Sequence, residues 1–164
     1  MDTATRPAIE QIRAWLDQVP DPEIPVISLV DLGIIRNLAW EGDTLVVTVT
    51  PTYSGCPAVN AIELAVEAAL LEAGFTPRIE RVMSPAWTTD WITPEGREKL
   101  RDYGIAPPEK ASGSIRSLFG EVEVACPKCG SRETERVSEF GSTACKALYR
   151  CLTCREPFDY FKCI

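Results

Sequence analysis

The chain has 164 residues, a formal net charge of −7 and no histidine. Without histidine it lacks the commonest general base and every Cys–His or Ser–His–Asp arrangement, which argues against most hydrolase activities. The acidic excess argues against a nucleic-acid partner, because affinity for phosphate comes from clustered Lys and Arg. No apolar run approaches the ~20 residues that span a bilayer, and no export signal is recognisable, so we predict a cytoplasmic protein with no membrane contact.

The N-terminal part begins with a predicted packing helix over residues 6–19, which Pro20 ends. A loop with three carboxylates follows, contributed by Asp21, Glu23 and Asp31. The simpler interpretation is a turn or capping role, because Asp before Pro and near Gly is standard turn chemistry. Alternatively, the three carboxylates flank a functional site.

A strand–helix corner is the most distinctive feature of the first hundred residues. The pattern predicts a β-hairpin with strands over residues 34–40 and 45–50, followed by an apolar helix over residues 58–73. Pro57 suits the first helical position, which makes Cys56 the N-cap. A helix N-terminus favours a thiolate, which would make Cys56 a functional thiol. Alternatively, Cys56 is a small buried residue at the corner.

Two tryptophans follow a third predicted strand over residues 78–83. Trp87 and Trp91 lie in an irregular loop, where they either cover the edge of the core or line a pocket or partner interface. A short helix over residues 94–101 comes next. Residues 105–120 are rich in Pro, Gly and Ser, which is typical of a linker.

The C-terminal part carries two Cys-x-x-Cys pairs, Cys126 with Cys129 and Cys151 with Cys154, with 21 residues between them. In a protein of a reducing compartment, such pairs indicate metal ligands rather than disulfides. Four thiolates complete a tetrahedral zinc site with no open position, so the zinc would be structural. A mononuclear iron or an iron–sulfur cluster on the same thiolates is the alternative.

Cys145 lies in a Gly/Ser/Thr-rich loop beside Lys146, whose charge would lower the pKa of the thiol. It is a candidate for surface chemistry or partner contact, unless it is buried. Cys163 has no assigned role. The predicted fold is α/β, with a small mixed sheet (the β-hairpin plus the third strand) packed with helices and followed by a four-cysteine zinc ribbon. The three predicted segments are an α/β domain over residues 1–104, a linker over 105–120 and the ribbon over 121–164.

Several of these stretches together resemble known families. Three stretches, DPEIP (21–25), DLGII (31–35) and TPTYSGCP (50–57), resemble the paired signature of a known domain. This is the metal–sulfur cluster assembly domain of SufT-type maturation factors. Three further stretches, together with the ribbon, resemble the PaaD-type (also called PaaJ) proteins of phenylacetyl-CoA epoxidase systems. These are SPAWTTDW (84–91), YGIAPP (103–108) and FGSTACK (140–146). The resemblance covers about residues 20–164.

The resemblance implies an α/β sandwich and a role in supplying or maturing iron–sulfur clusters. It assigns the family's thiol to Cys56 and the positions around it to Asp21, Glu23, Asp31, Thr50 and Thr52. In the phenylacetate pathway the expected client is the reductase subunit with its ferredoxin-type cluster, and the iron–sulfur assembly machinery is a further expected partner. The chain is not the oxygenase subunit, because a carboxylate–histidine di-iron motif requires histidine.

Three functions follow from these patterns. In the leading one, a non-catalytic accessory or maturation protein, Cys56 transiently binds iron or a cluster and the ribbon is a docking module. In the alternative, a structural or adaptor subunit, the ribbon and the loop of Trp87 and Trp91 bind a partner and Cys56 only packs. A thiol enzyme using Cys56 or Cys145 has no neighbouring base in the sequence.

Overall fold

The computed structural model describes residues 6–108 and 123–162, which form two compact units divided after Trp87. Most of the predicted linker, residues 109–120, lies outside the described residues, and so does Cys163. Among the described residues, no helix has the length and apolar character needed to cross a membrane.

The first unit is built on a three-stranded sheet of order β1–β2–β3, formed by β1 (Ile35–Glu41), β2 (Thr44–Val49) and β3 (Pro77–Arg81). Strands β1 and β2 form the predicted antiparallel hairpin, whereas β3 runs parallel to β2. Parallel neighbours need a crossover connection, and helix α2 (Val59–Glu72) supplies it. The small mixed sheet expected from the sequence is confirmed.

Two helices belong to this unit. Helix α1 (Ile9–Leu16) is shorter than the predicted helix but buries Ile12 and Leu16 completely, as its apolar spacing predicts. Helix α2 buries one side through Val59, Ile62, Val66 and Leu70. On its other side Leu64 and Leu71 are 65% and 49% exposed. A helix that is apolar nearly all round is typically covered on more than one side, by another part of the chain or by a partner, yet the described residues leave these two leucines accessible.

The second unit contains a four-stranded sheet of order β4–β7–β6–β5. Its strands are β4 (Ile105–Ala106), β5 (Thr134–Ser138), β6 (Lys146–Cys151) and β7 (Pro157–Phe161). The β5–β6 and β6–β7 pairs are antiparallel. Tyr149 belongs to the core of this sheet, because its ring stacks on Phe158 with the centroids 5.9 Å apart and packs T-shaped against Tyr160 with the centroids 5.4 Å apart.

Helix α3 (Pro94–Tyr103) precedes β4 in the same unit. Thr93 caps it by accepting a hydrogen bond from the Gly96 N–H at 3.0 Å, and Gly104 ends it with a φ of 95°.

Two features of this region differ from the sequence-based expectation. Ile105 and Ala106 lie in the predicted linker but form β4, which is buried and pairs in parallel with β7. A strand of two residues is too short to show an alternating apolar pattern. The Pro-, Gly- and Ser-rich composition of residues 105–120 therefore predicted a linker there. The unit boundary after Trp87 places α3 with the C-terminal sheet, whereas the predicted α/β domain extends to residue 104.

Candidate functional site

Cys56 lies in the turn between β2 and α2, two residues before the N-cap of the helix. The helix begins at Val59 with Ala58 as the N-cap, so the prediction that Cys56 is the N-cap is wrong. The Val59 N–H donates to the Cys56 carbonyl at 3.3 Å, which is a tight turn of the 3₁₀ type. The first α-helical bond of α2 runs from the Ile62 N–H to the Ala58 carbonyl at 2.8 Å. This lead-in turn separates the thiol from the helix proper.

The environment of Cys56 raises the pKa of its thiol, opposite to the predicted activation by a helix N-terminus. Burial is the largest cause, because the thiolate is poorly solvated there. The backbone N–H of Ala58 and the hydroxyl of Thr52 lower the pKa by hydrogen bonding, and the charges of Glu23 and Asp21 raise it. Cys56 is therefore a half-buried, protonated thiol at neutral pH. Sequence reasoning missed Ala58, since its contribution is a backbone group that no side-chain pattern reveals.

The structure brings Glu23 and Asp21 of the acidic loop close enough to act electrostatically on Cys56. Asp21 is buried, and its Oδ1 accepts hydrogen bonds from the N–H groups of Glu23 at 2.9 Å and Ile24 at 2.8 Å. This is the turn-capping role that Asp before Pro predicts. Asp21 thus has the predicted capping role in its own loop, and it also places negative charge near the Cys56 thiol.

Asp31, Thr50 and Thr52, the other predicted site residues of this unit, are all buried. The Asp31 N–H donates to the Ser28 hydroxyl at 2.9 Å, which holds the loop before β1. The Thr50 N–H donates to the Ile34 carbonyl at 2.9 Å, which extends the hairpin by one bond beyond β2. Of the two threonines, Thr52 is the one whose side chain hydrogen-bonds to the Cys56 thiol.

The four paired cysteines of the second unit, Cys126, Cys129, Cys151 and Cys154, converge so that all their sulfur atoms lie within 4.8 Å of one another. The Cys126 and Cys154 sulfurs are 3.8 Å apart, and those of Cys129 and Cys151 are 3.5 Å apart. An ion with metal–sulfur bonds of ~2.3 Å in tetrahedral geometry separates its sulfurs by about 3.8 Å. The four side chains therefore fit a single ion and form a metal-binding site.

The backbone turns sharply after each cysteine pair, and both sulfurs of the pair face the centre of the four-cysteine site. The residues that follow the second cysteine, Gly130 and Arg155, have left-handed φ values of 76° and 65°. The Gly130 N–H donates to the Cys126 carbonyl at 2.9 Å. In the second pair, the Cys154 N–H donates to the Cys151 sulfur at 3.5 Å, and this bond is the largest of several that together lower the pKa of the Cys151 thiol to about 6. The Glu156 N–H lowers the pKa of the Cys154 thiol, but burial and hydrogen bonds with the other three sulfurs raise it to about 12. Metal ligation requires the deprotonated form of both thiols, which a bound cation favours.

The candidate partner-contact residues occupy different environments. Trp87 is only 3% exposed, and its indole N–H donates to the Leu32 carbonyl at 2.9 Å, so it belongs to the core. Trp91 is partly buried. Cys145 is buried with its sulfur 3.0 Å from the Thr143 hydroxyl, as the alternative of structural burial predicted.

Lys146, next to Cys145, is also buried, and its Nζ lies 3.9 Å from the carboxylate of Asp159. Adding a Cβ to nearby Gly141 would bring that atom within 2.8 Å of Asp159 Oδ1. The Gly/Ser/Thr-rich loop therefore packs against β7 through Gly141 and Lys146, whereas Phe140, Ser142 and Ala144 are exposed.

Comparisons with known proteins divide the chain in a similar way. Residues 9–77 match the family model described as iron–sulfur cluster assembly protein, and residues 110–162 match the PaaD zinc beta ribbon domain. A crystal structure of a domain of unknown function, DUF59, from Bacillus anthracis is 26% identical, with a TM-score of 0.51. The match covers 56% of this chain and 89% of that one, and supports the α/β fold.

A full-length relative comes from Escherichia coli (strain K12), where it is provisionally named as the D component of 1,2-phenylacetyl-CoA epoxidase. It is 53% identical over 163 residues, which make up 99% of this chain and 97% of the relative. Identity of this extent across nearly the whole of both proteins means that the chain belongs to the PaaD family, in which a domain of the iron–sulfur cluster assembly type precedes a zinc ribbon.

Proposed function

We propose that this chain is a non-catalytic accessory protein of a phenylacetyl-CoA epoxidase system and assists the assembly or transfer of iron–sulfur clusters in phenylacetate degradation. The name of the E. coli relative supports the system, and the first family model supports the chemistry. The absence of histidine supports an accessory role, since a di-iron oxygenase site built on Glu-x-x-His motifs is impossible here.

The observation that carries this proposal is the single thiol of Cys56 with a hydroxyl and two carboxylates around it. Thiolate and carboxylate are both iron ligands. While the site is free of cargo, burial keeps the Cys56 thiol neutral, and the charges of Glu23 and Asp21 oppose its ionisation. The same negative charges attract an incoming iron ion or cluster, whose positive charge then favours the thiolate. Binding of the cargo would release the Cys56 proton, and its departure would restore the neutral thiol.

The arrangement suits handover rather than storage. A stably held cluster has four protein ligands as a rule, whereas this corner offers one sulfur. Thr52 would assist by donating its hydroxyl hydrogen to the sulfur, and Asp31 and Thr50 would hold the surrounding backbone. We infer that the client is the ferredoxin-type reductase subunit, that the iron–sulfur assembly machinery supplies the cargo, and that both encounters take place in the cytoplasm.

The metal of the four-cysteine site would be zinc with a structural role. Four thiolates leave no open coordination position, so no substrate can reach the ion directly. A small sheet of this size benefits from a metal because its own core is limited. The ribbon so stabilised would serve as a docking module for the epoxidase components and not for nucleic acid.

The test is to replace Cys56 by Ser and to measure iron and acid-labile sulfide in the reductase that is matured with the variant. We expect normal folding and normal zinc content in the variant but lower cluster occupancy and epoxidase activity in its client. The matched control is Ser54→Ala, an exposed change in the same turn that leaves the thiol in place. Full reductase iron and full activity with Cys56→Ser would disprove the role of Cys56.

A structural or adaptor subunit is a second candidate, favoured by exposed apolar side chains on the ribbon. Val137, Phe140 and Leu152 are each at least half exposed, and in this function they would be covered by a partner, because the buried centre of an interface is enriched in apolar and aromatic side chains. In this function the chain forms a stable stoichiometric complex with the epoxidase, and Cys56→Ala is fully active. A pull-down together with the activity of that variant separates the two functions.

A further inference from the structure

Strand β3 (Pro77–Arg81) is an edge strand of the three-stranded sheet in the described first unit. Its inner side pairs with β2, and the Val82 N–H continues this pairing by donating to the Val49 carbonyl at 2.9 Å. Successive residues of a strand direct their backbone groups to opposite sides, so the groups of Ile79 and Arg81 point away from β2. Outward N–H and C=O groups on an edge are a template for a further strand.

The position of Pro77 agrees with this geometry. By the same alternation its nitrogen lies on the outer side, so the missing N–H costs the pairing with β2 nothing. The loss falls at one end of the strand. The central residue Ile79 keeps both its donor and its acceptor.

The charges of β3 are complementary to those of a second, antiparallel copy of the same strand. The strand reads Pro-Arg-Ile-Glu-Arg. If two copies pair with Ile79 opposite Ile79, Arg78 of each copy lies opposite Glu80 of the other. Arg78 and Glu80 share one face of the sheet, with 2.9 Å between Nη2 and Oε1, and both side chains are about half exposed. Opposite charges facing each other across strands stabilise the pairing.

The other face of β3 offers an apolar contact at the same centre. Pro77 and Ile79 line a shallow groove of about 380 Å³ together with α2, which contributes the exposed Leu64 at its apolar part and Asn60, Glu63 and Glu67 at its polar part. A two-fold axis through Ile79 would bring the Ile79 and Leu64 side chains of both copies to one side of the joined sheet. Burial of this surface would add to the backbone hydrogen bonds and the ion pairs.

We propose that β3 is a dimerisation edge, along which two copies of this chain pair antiparallel with their two-fold axis at Ile79. The two Ile79 residues exchange both of their backbone hydrogen bonds, and each Arg81 N–H donates to the Pro77 carbonyl of the other copy. The interface lies on the first unit and does not involve Cys56, so it stands independently of the proposed function.

The test is the mass of the full-length protein, measured by sedimentation or light scattering over a range of concentrations. We expect a reversible shift from the 18.1 kDa chain to twice that mass. Glu80→Arg places two arginines opposite two arginines and should raise the dimer dissociation constant at least about tenfold. Glu98→Arg on α3, an exposed position, makes the same change in net charge and should leave the constant unchanged.

A charge-exchange experiment identifies the strand itself. Arg78→Glu should weaken dimerisation as Glu80→Arg does, because each variant carries one sign of charge at both positions. Mixing the two variants should restore a dimer, since every facing pair is then of opposite sign. A monomer at all concentrations would overturn the proposal, as would a dimer that is insensitive to Glu80→Arg or a failure of the mixture to associate.

Discussion

The hydroxyl of Thr52 hydrogen-bonds to the thiol of Cys56 in the turn between β2 and α2. Burial, the largest influence on this thiol, raises its pKa, while the bond from Thr52 lowers it. The charge of Glu23, from a loop more than thirty residues away in the chain, raises the pKa as well. Two separate segments therefore control how readily the thiol ionises.

Glu23→Gln should lower the pKa of the Cys56 thiol, because it removes a negative charge that opposes the thiolate. The midpoint of the alkylation rate of Cys56 against pH should then move to lower pH, which peptide mass spectrometry can follow at this one cysteine. Thr52→Val should move the midpoint to higher pH, since it removes a hydrogen bond to the sulfur. Glu72→Gln, at the far end of α2, is the control. Shifts of Glu23→Gln and Thr52→Val in the same direction would contradict this account of the site.

Removal of the metal should unfold the C-terminal sheet and spare the first unit. Apparent binding energies of structural zinc reach about 10–16 kcal/mol in zinc-finger peptides, and this energy is available only to the folded ribbon. After chelation, or in Cys126→Ser, we expect backbone amides of β6 and β7 to lose protection from hydrogen exchange while those of β1 and β2 keep it. Cys56→Ser should retain the metal. Full protection of β6 and β7 in metal-free protein would show that the ion does not hold the sheet.

Trp87→Phe should cost about 1–3 kcal/mol of the free energy of unfolding, because it leaves the buried Leu32 carbonyl without the indole N–H. Urea denaturation followed by circular dichroism measures the loss. Trp40→Phe is the matched change, since the Trp40 indole is half-buried and its bond to the Pro7 carbonyl is long, at 3.4 Å. Equal losses of the free energy of unfolding in the two variants would mean that the buried hydrogen bond of Trp87 stabilises the fold no more than the long, half-buried bond of Trp40.

Neighbouring leucines of α2 should respond very differently to truncation. Leu70 is fully buried, so Leu70→Ala should destabilise the protein by about 2–5 kcal/mol through lost burial and the cavity left behind. Leu71 is 49% exposed, and Leu71→Ala should stay within about 0.5 kcal/mol of the unmodified protein. Urea denaturation followed by circular dichroism measures the change in the free energy of unfolding for both variants. A large loss at Leu71 would reveal a cover over the outer side of α2.

Much of this molecule could be predicted from local patterns. Alternation of apolar residues was enough for the hairpin of β1 and β2, because strand periodicity is a property of neighbouring residues. The start of the helix predicted from residue 94 is confirmed, and the caps Thr93 and Gly104 follow residue preferences that act within one turn. The paired spacing of the four cysteines predicted their convergence, since each Cys-x-x-Cys turn presents two sulfurs to one ion.

Tertiary structure alone decided what depends on segments distant in sequence. The lead-in turn that moves Cys56 off the helix N-cap, the buried Trp87 and the two-residue strand β4 have no local signature. The raised pKa of Cys56 arises from desolvation and from the charge of a separate loop, neither of which exists before the chain packs. The sequence by itself thus determined the β1–β2 hairpin, the helices and the set of four cysteine ligands, because these rest on short-range geometry. The burial of Cys56, and therefore the pKa of this candidate handover thiol, depends on the tertiary structure.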